Sequence, residues 1–223
     1  EQVKVSVQFV LVPNSVCINE DKLPALAVND NQLDSIEYIS ETLSDKITLF
    51  NAYDSLKTAA DNGDQVFYKT DHHWTDSGAR AVFEALTGDK IDTSEYDNSI
   101  VRNDFYGTLY SKAPSALTKP ETMILPRHSG ESRYTVTYVK EGKTTDSLID
   151  ESYLDKKDKY ASFMGGNFSR VDISSSDSKT DKKVLVLKDS YANAMLPYLA
   201  DEYSQLIVVD MRYYHFEQQT VAE

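Results

Sequence analysis

This chain is almost without cysteine. Cys17 is the only one in 223 residues, which excludes an internal disulfide framework and any cysteine-based zinc site. No run of 18 apolar residues occurs either, so no segment reads as a membrane-spanning helix. Positive charge is scarce: 23 Lys and Arg stand against 36 Asp and Glu, a net charge of -13. Nucleic acid and anionic membrane both require a basic footprint, so neither is an expected partner. Such a surface suits a neutral or cationic substrate better than a polyanion. The sequence has no internal repeat. It begins at Glu1, already in a strand-like alternation of Val3, Val5, Val7 and Phe9. Further sequence upstream, with an export signal or anchor, is the expectation this raises.

What the chain does have is enough apolar matter for a core. Apolar residues make up 40%, and a single domain of this length buries roughly 70% of its unfolded surface. Gln8 to Val12 reads as a strand stopped by Pro13-Asn14. Asn29 to Leu43 carries Leu33, Ile36, Ile39 and Leu43 on one face and reads as a helix. Ile47 to Phe50 is a short strand, and Asp54 caps a short helix ended by Asn62-Gly63. Val66 to Thr70 reads as a strand, and a helix follows with Ala79, Val82, Phe83 and Leu86 inward, closed by Gly88. Strands alternating with helices predict an α/β fold with a mostly parallel, doubly wound sheet. Residues 91–180 break that rhythm with Pro114, Pro120, Pro126 and a hairpin turning at Glu141-Gly142. They read as an inserted region of antiparallel strands and loops, and Ser174 to Lys183 as a solvated linker returning to the core at Val184.

Two clusters carry the chemistry. Val184 to Leu187 reads as a buried strand, Ala192 to Tyr203 as a helix, and Gln205 to Asp210 as a second strand. That is a right-handed βαβ unit with Asp189-Ser190 at the carboxyl end of its first strand, where open sheets place their sites. Taken alone, Ser190 is either a nucleophile or part of a helix cap. Pro197 lacks the N–H a helix interior needs, so either the helix kinks there or its regular part starts near Ala194.

The second cluster is Asp71-His72-His73-Trp74, which also follows a predicted strand. A serine hydroxyl needs a base to attack an ester, and a carboxylate on the far nitrogen of a histidine fixes its tautomer. Asp-His-His by itself is equally compatible with a metal site or a capping aspartate beside surface histidines. Two such clusters at one sheet edge favour catalysis. His128 and His215 have no evident partner and read as surface or packing residues.

The words Thr70-Asp71-His72-His73-Trp74-Thr75-Asp76-Ser77-Gly78-Ala79, Asp189-Ser190-Tyr191-Ala192-Asn193 and Val209-Asp210-Met211-Arg212-Tyr213-Tyr214 together resemble the DHHW protein family. Asp104 to Ser111 extends the likeness. That family is similar to the SGNH-hydrolase-like domains of bacterial polysaccharide O-acetyltransferases of the alginate type. The resemblance implies an SGNH-hydrolase-like three-layer sandwich over residues 1–223, with roughly 91–180 inserted. It implies Ser190 as nucleophile, His73 as base and Asp71 as its orienter, in a permuted order. Oxyanion donors would be the Ser190 N–H and, from Gly165-Gly166-Asn167, the Gly166 N–H and the Asn167 side chain, the plain alternative for the two glycines being a turn. Arg212 is a candidate for the acyl or sugar group, its plain alternative a surface salt bridge. Trp74 and Tyr213 are candidates for stacking on sugars, their plain alternative packing.

His72 falls where the alginate proteins have no histidine, so its role is open, and Lys188-Asp189-Ser190 departs from the usual Gly-Asp-Ser. The implied activity is serine-dependent O-acetyl transfer to, or removal from, a cell-surface or secreted polysaccharide. The acetyl group would come from a membrane-bound O-acyltransferase partner, and the location would be extracytoplasmic, in the bacterial cell envelope. No cofactor and no metal are implied. A glycan-binding or scaffold domain that has lost activity is one alternative; a metal-dependent DHH-type phosphoesterase is another, although the first 60 residues lack its Asp-rich motifs.

Overall fold

The computed structural model describes residues 5–97, 99–129 and 133–215, so Val3 lies outside the described residues. Along the chain run β1 (Val7–Leu11), α1 (Ser15–Ile18), α2 (Gln32–Thr42), β2 (Ile47–Asn51), α3 (Tyr53–Asp61), α4 (Asp76–Thr87), β3 (Ile100–Phe105), α5 (Thr108–Lys112), β4 (Glu121–Leu125), β5 (Tyr134–Tyr138), β6 (Lys143–Thr145), β7 (Arg170–Ser175), β8 (Thr180–Lys188), α6 (Leu196–Glu202) and β9 (Tyr203–Asp210). Among the described residues no helix is long and apolar enough to cross a membrane.

The α/β character holds, but the mostly parallel sheet does not. The five-stranded sheet has the order β6-β5-β7-β9-β8. Only β8 and β9 pair in parallel; β5–β6, β5–β7 and β7–β9 are antiparallel. The reason is in the connections: parallel strands need a crossover, which α6 supplies between β8 and β9, whereas a short turn suffices for the β5–β6 hairpin. The middle of the chain therefore adds its strands edgewise to the same sheet that carries β9. A second parallel pair, β1–β2, and an antiparallel pair, β3–β4, stand as separate two-stranded sheets.

Local differences have local causes. Residues 66–70 form no strand; Phe67 makes one isolated bridge to Trp74. The backbone N–H groups of Lys69 and Thr70 go to the Glu121 carboxylate at 2.8 and 2.6 Å, where a neighbouring strand would have taken them. The stretch read as a linker is mostly strand, since β8 begins at Thr180. Helix α3 starts at Tyr53 with Ala52 as its cap residue, so Asp54 lies in the first turn and is not the cap. Of the apolar face read for α2 only Ile36 is buried. After Ser190 comes a 3-10 turn, Tyr191–Ala194, and α6 begins only at Leu196 with Pro197 in its first turn, the position where the missing N–H costs nothing. Tyr203 opens β9 rather than ending the helix.

The core places these pieces. Leu56 and Ala59 of α3, Val82 and Phe83 of α4, Leu196 and Leu199 of α6, and Leu206 and Val208 of β9 are all buried in one cluster. Helix α4 is capped by Thr75, whose side chain accepts from the Gly78 N–H, and ends on Gly88 in the left-handed region at φ 82°. Gly78 is there because α4 grazes the chain before it: a Cβ at that position would lie 2.3 Å from the Val66 carbonyl oxygen.

Candidate active site

Register puts the ends of β8 and β9 side by side, with Lys188 opposite Asp210. Ser190 leaves one strand end and Arg212 the other, so both stand at the carboxyl edge of the one parallel pair in this sheet. The residues from Asp71 to His73 arrive at the same place on a closed loop. That loop is cinched by Thr75 N–H to the Val66 carbonyl at 2.9 Å and Tyr68 N–H to the His73 carbonyl at 3.2 Å.

Asp71, His73 and Ser190 form one row. His73 Nδ1 lies 2.6 Å from Asp71 Oδ1, and its Nε2 lies 2.9 Å from Ser190 Oγ. The groups come from positions 117 residues apart in the chain. Asp71 is 1% exposed and His73 6%. Burial alone would push the Asp71 carboxyl upward, but hydrogen bonds from His73 and from the Thr108 N–H hold it well below the ordinary carboxylate range. It therefore stays an anion and an acceptor. Its partners are the His73 N–H at 3.0 Å, the Thr108 N–H at 2.6 Å and the Thr108 hydroxyl at 3.0 Å, besides the imidazole. An ionised Asp71 requires its imidazole partner to carry the proton on Nδ1, which leaves the Nε2 lone pair facing the serine.

Tyr160 is a residue the sequence reading missed. Its ring lies flat on the His73 ring at 3.8 Å and 7°. It is buried, and its hydroxyl is without a partner among the described residues. Nothing in Lys159-Tyr160-Ala161-Ser162 marks it; only the fold brings it to the imidazole. Tyr160→Phe should raise stability by about 1 kcal/mol, because it removes an unsatisfied buried hydroxyl. Tyr160→Ala should lower turnover about tenfold or more by freeing the imidazole plane. Urea midpoints and steady-state rates check the pair, and an unchanged rate in the alanine variant would remove Tyr160 from the site.

Three of the other candidates stand as their plainer alternatives had them. Trp74 is 1% exposed and its indole N–H is spent on the Tyr191 carbonyl at 2.8 Å, so it braces the serine turn and offers no face to a sugar. The Gly166 N–H donates to the Phe163 carbonyl at 3.3 Å, which leaves it as part of the turn, not as a free donor. Arg212 is forked onto the buried Asp210, Nε to Oδ1 at 2.9 Å and Nη2 to Oδ2 at 2.6 Å. It is thus the salt bridge of the plainer alternative, with the guanidinium half exposed beside it.

Asn167 and Tyr213 remain as expected candidates, and Lys188 explains how Asn167 is set. Lys188 is almost buried, with its ammonium 3.3 Å from Asp210 Oδ2 and 3.5 Å from Asn167 Oδ1. Burial lowers its pKa against the pull of Asp210. Asn193, three residues after the serine, donates to the same Asn167 oxygen at 3.3 Å. With Oδ1 taken, the Asn167 NH2 is left as a donor without a protein acceptor among the described residues. The segment before it is bent hard: Met164, Gly165 and Gly166 have φ of 64°, 72° and 112°, a conformation that a non-glycine such as Met164 adopts only under constraint. Tyr213 is half exposed, 5.4 Å beneath the Arg212 guanidinium.

Asp71, His72 and His73 each bring a ligand atom to within 4.8 Å of the others, as a metal site would. Three of the four ring nitrogens have other partners, His73 Nδ1 with Asp71, His73 Nε2 with Ser190 and His72 Nδ1 with Thr108 Oγ1 at 2.7 Å, which leaves His72 Nε2 alone without one among the described residues. The pattern suits a proton path better than a metal. His128 packs edge-on against Tyr96, and His215 is exposed.

The loop also depends on Glu121, which takes the Lys69 and Thr70 N–H groups and the Gln65 amide at 2.6 Å. Glu121→Ala strands two backbone donors and should cost about 3 kcal/mol in urea unfolding. A loss under about 1 kcal/mol would show that the loop holds without it.

A model described as DHHW protein matches residues 2–209. Among solved structures, a DHHW family protein from Eubacterium siraeum shares 24% identity at a TM-score of 0.81, over 99% of this chain and 74% of that one. PatB1 from Bacillus cereus shares 20% at 0.76, over 99% and 79%. Its sulfonyl adduct shares 20% at 0.77, over 98% and 77%. No curated protein matches the chain.

Proposed function

The chain belongs to the DHHW protein family, and on that premise we propose that it is a serine-dependent O-acetyl transfer enzyme acting on a cell-surface or secreted bacterial polysaccharide. The observation that carries this reading is the His73 imidazole held between Asp71 at 2.6 Å and Ser190 Oγ at 2.9 Å. Ser190 Oγ attacks the carbonyl of an acetyl donor while its proton passes to His73 Nε2. Asp71 keeps the imidazole in the tautomer that can receive it and stabilises the imidazolium that results. The Ser190 N–H and the Asn167 amide are the donors for the oxyanion. The leaving group departs with the proton from His73, and acetyl-Ser190 remains. A sugar hydroxyl then repeats the steps in reverse and carries the acetyl group away. Water in its place makes the same groups an acetylesterase.

The same reading makes residues 1–223 one SGNH-hydrolase-like domain, with roughly 91–180 as its inserted region. It assigns an extracytoplasmic location and an acetyl donor supplied by a membrane-bound O-acyltransferase, both on the family resemblance. Tyr213 and the exposed side of Arg212 are the groups for sugar contact.

The test is trapping. Wild-type protein and Ser190→Ala are mixed with p-nitrophenyl acetate, with and without chelator, quenched in acid and digested. An acetylated Ser190 peptide in the wild type alone, indifferent to chelator, supports the reading. Turnover without that adduct, or turnover that chelator abolishes, sinks it and restores the metal set of Asp71, His72 and His73. Sugar binding with no turnover at all would mark a glycan-binding domain.

A further inference from the structure

His72 stands outside the proton path and yet is held as firmly as its members. Its Nδ1 lies 2.7 Å from Thr108 Oγ1, and that hydroxyl lies 3.0 Å from Asp71 Oδ2. Asp71 is ionised and can only accept, so the single hydroxyl proton of Thr108 goes to it. Thr108 Oγ1 must then accept from His72, which fixes the proton of His72 on Nδ1. The nearby Asp71 Oδ1, 3.3 Å from the same nitrogen, favours the same tautomer. The other nitrogen, Nε2, is left as a lone-pair acceptor with no partner among the described residues.

The ring itself cannot wander. It lies against the His73 ring at 3.8 Å with the two planes tilted by 38°, and the His72 carbonyl takes the Tyr191 hydroxyl. Burial, with His73 alongside, lowers its pKa and so disfavours its charged form. Its side chain is nevertheless 48% exposed. A half-exposed histidine with its tautomer set, its ring packed against His73 and its one unengaged atom a bare acceptor is arranged to meet a hydrogen-bond donor from solution.

We propose that His72 Nε2 binds the acceptor sugar, taking a hydrogen bond from the hydroxyl adjacent to the one that is acetylated. The site thereby selects vicinal diols. This rests on the acetyl-Ser190 reading. In the transfer step the reacting hydroxyl oxygen bonds to the acetyl carbon and its proton passes to His73 Nε2. The acetyl C–Oγ bond breaks, and Ser190 Oγ takes that proton back. His72 exchanges no proton; it orients the ring through the neighbouring hydroxyl, whose proton it accepts only as a hydrogen bond. The ring centroids of the two imidazoles lie 3.8 Å apart and both Nδ1 atoms face Asp71 Oδ1, at 2.6 and 3.3 Å, so the two Nε2 atoms lie on neighbouring rings turned the same way.

The test uses p-nitrophenyl acetate as donor, with cis-cyclohexane-1,2-diol or cyclohexanol as acceptor, and measures the ratio of acetyl ester to free acetate. The wild type is expected to favour the diol about tenfold or more, since a site built for a hydroxyl discriminates against its absence. His72→Asn keeps a donor near the Nδ1 position for Thr108 but has no atom at Nε2, and should lose that preference. His72→Gln reaches the Nε2 position with a carbonyl oxygen and should keep part of it. The reverse order, preference kept in the Asn variant and lost in the Gln variant, would mean that His72 only anchors Thr108. A wild type that forms acetyl-Ser190 but does not distinguish the two acceptors would overturn the His72 role alone. A wild type that forms no acetyl-Ser190 would overturn the acyl-enzyme itself.

Discussion

Ser190→Ala and His73→Ala should each lower kcat for p-nitrophenyl acetate by about 10^4 or more, and the double variant should be no slower than either single one. On the acyl-enzyme reading the two groups act as a unit. Ser190 Oγ, at 2.9 Å from His73 Nε2, has no other base within the described hydrogen bonds, and His73 has no other proton to take. Removing one leaves the other without its function, so the losses cannot add. Losses that multiplied in the double variant would mean that the residues act separately, and the row would then be structural. Asp71→Asn belongs to the same series, because an amide cannot accept all four bonds that Asp71 accepts and favours the wrong tautomer of His73.

Asp71 also gives the fold an acid signature. Its pKa in the folded protein lies below that of an unfolded carboxylate, near 3.9. The folded state therefore binds protons less readily than the unfolded one. The stabilisation is complete above about pH 5 and is lost as the pH falls through the unfolded and then the folded value. Urea midpoints should thus decline on acidification below about pH 5 less steeply in Asp71→Asn than in the wild type. Parallel acid limbs in the two proteins would show that Asp71 is not the group responsible.

How far the sequence reached can be judged from particular residues. Asp71, His73 and Ser190 could be singled out as candidates because residue type and words of local order mark them, and the structure brings them together; β8, α6 and β9 are marked by a change of hydrophobic period. Glu121 and Tyr160 were not legible. Glu121 works by accepting backbone N–H groups 51 and 52 residues away, and no pattern around Met123 or Leu125 announces that. Tyr160 sits among the 15 tyrosines of the chain, and only packing distinguishes the one that lies on His73. Sheet direction failed for a related reason. The inserted region reads as antiparallel strands, and they are antiparallel, but pairing partners are set by long-range burial, which joined Tyr134–Tyr138 through Arg170–Ser175 to the sheet of β9 and so made that sheet mostly antiparallel. Trp74 had two readings, sugar stacking and packing, that residue type could not separate; its burial and the bond to the Tyr191 carbonyl decide for packing.

Gly107→Ala should cost activity out of proportion to its effect on folding. The backbone there, at φ -91° and ψ -166°, suits any residue, so the glycine is not needed for its conformational freedom. It is needed for space. A Cβ at 107 would lie 2.2 Å from Asp71 Cβ and 2.3 Å from Asp71 Oδ2, distances that must open by more than an ångström. Whichever side yields, the Gly107 N–H to Thr70 Oγ1 bond at 3.1 Å and the Thr108 bonds to Asp71 are pulled apart. Overpacking of this kind costs about 1–3 kcal/mol of stability, which a chain of this size survives. The row does not survive it, because a shift of about 1 Å at the orienting carboxylate costs on the order of 100-fold in rate. Gly78→Ala supplies the contrast. Its Cβ would meet the Val66 carbonyl at 2.3 Å, beneath α4 and not against Asp71, so it should destabilise as much while losing less activity. Measured side by side as kcat and urea midpoint, the two variants separate the site from the scaffold. A Gly107→Ala protein with a wild-type rate would mean that Asp71 can be displaced without consequence, and the carboxylate would lose its place in the mechanism.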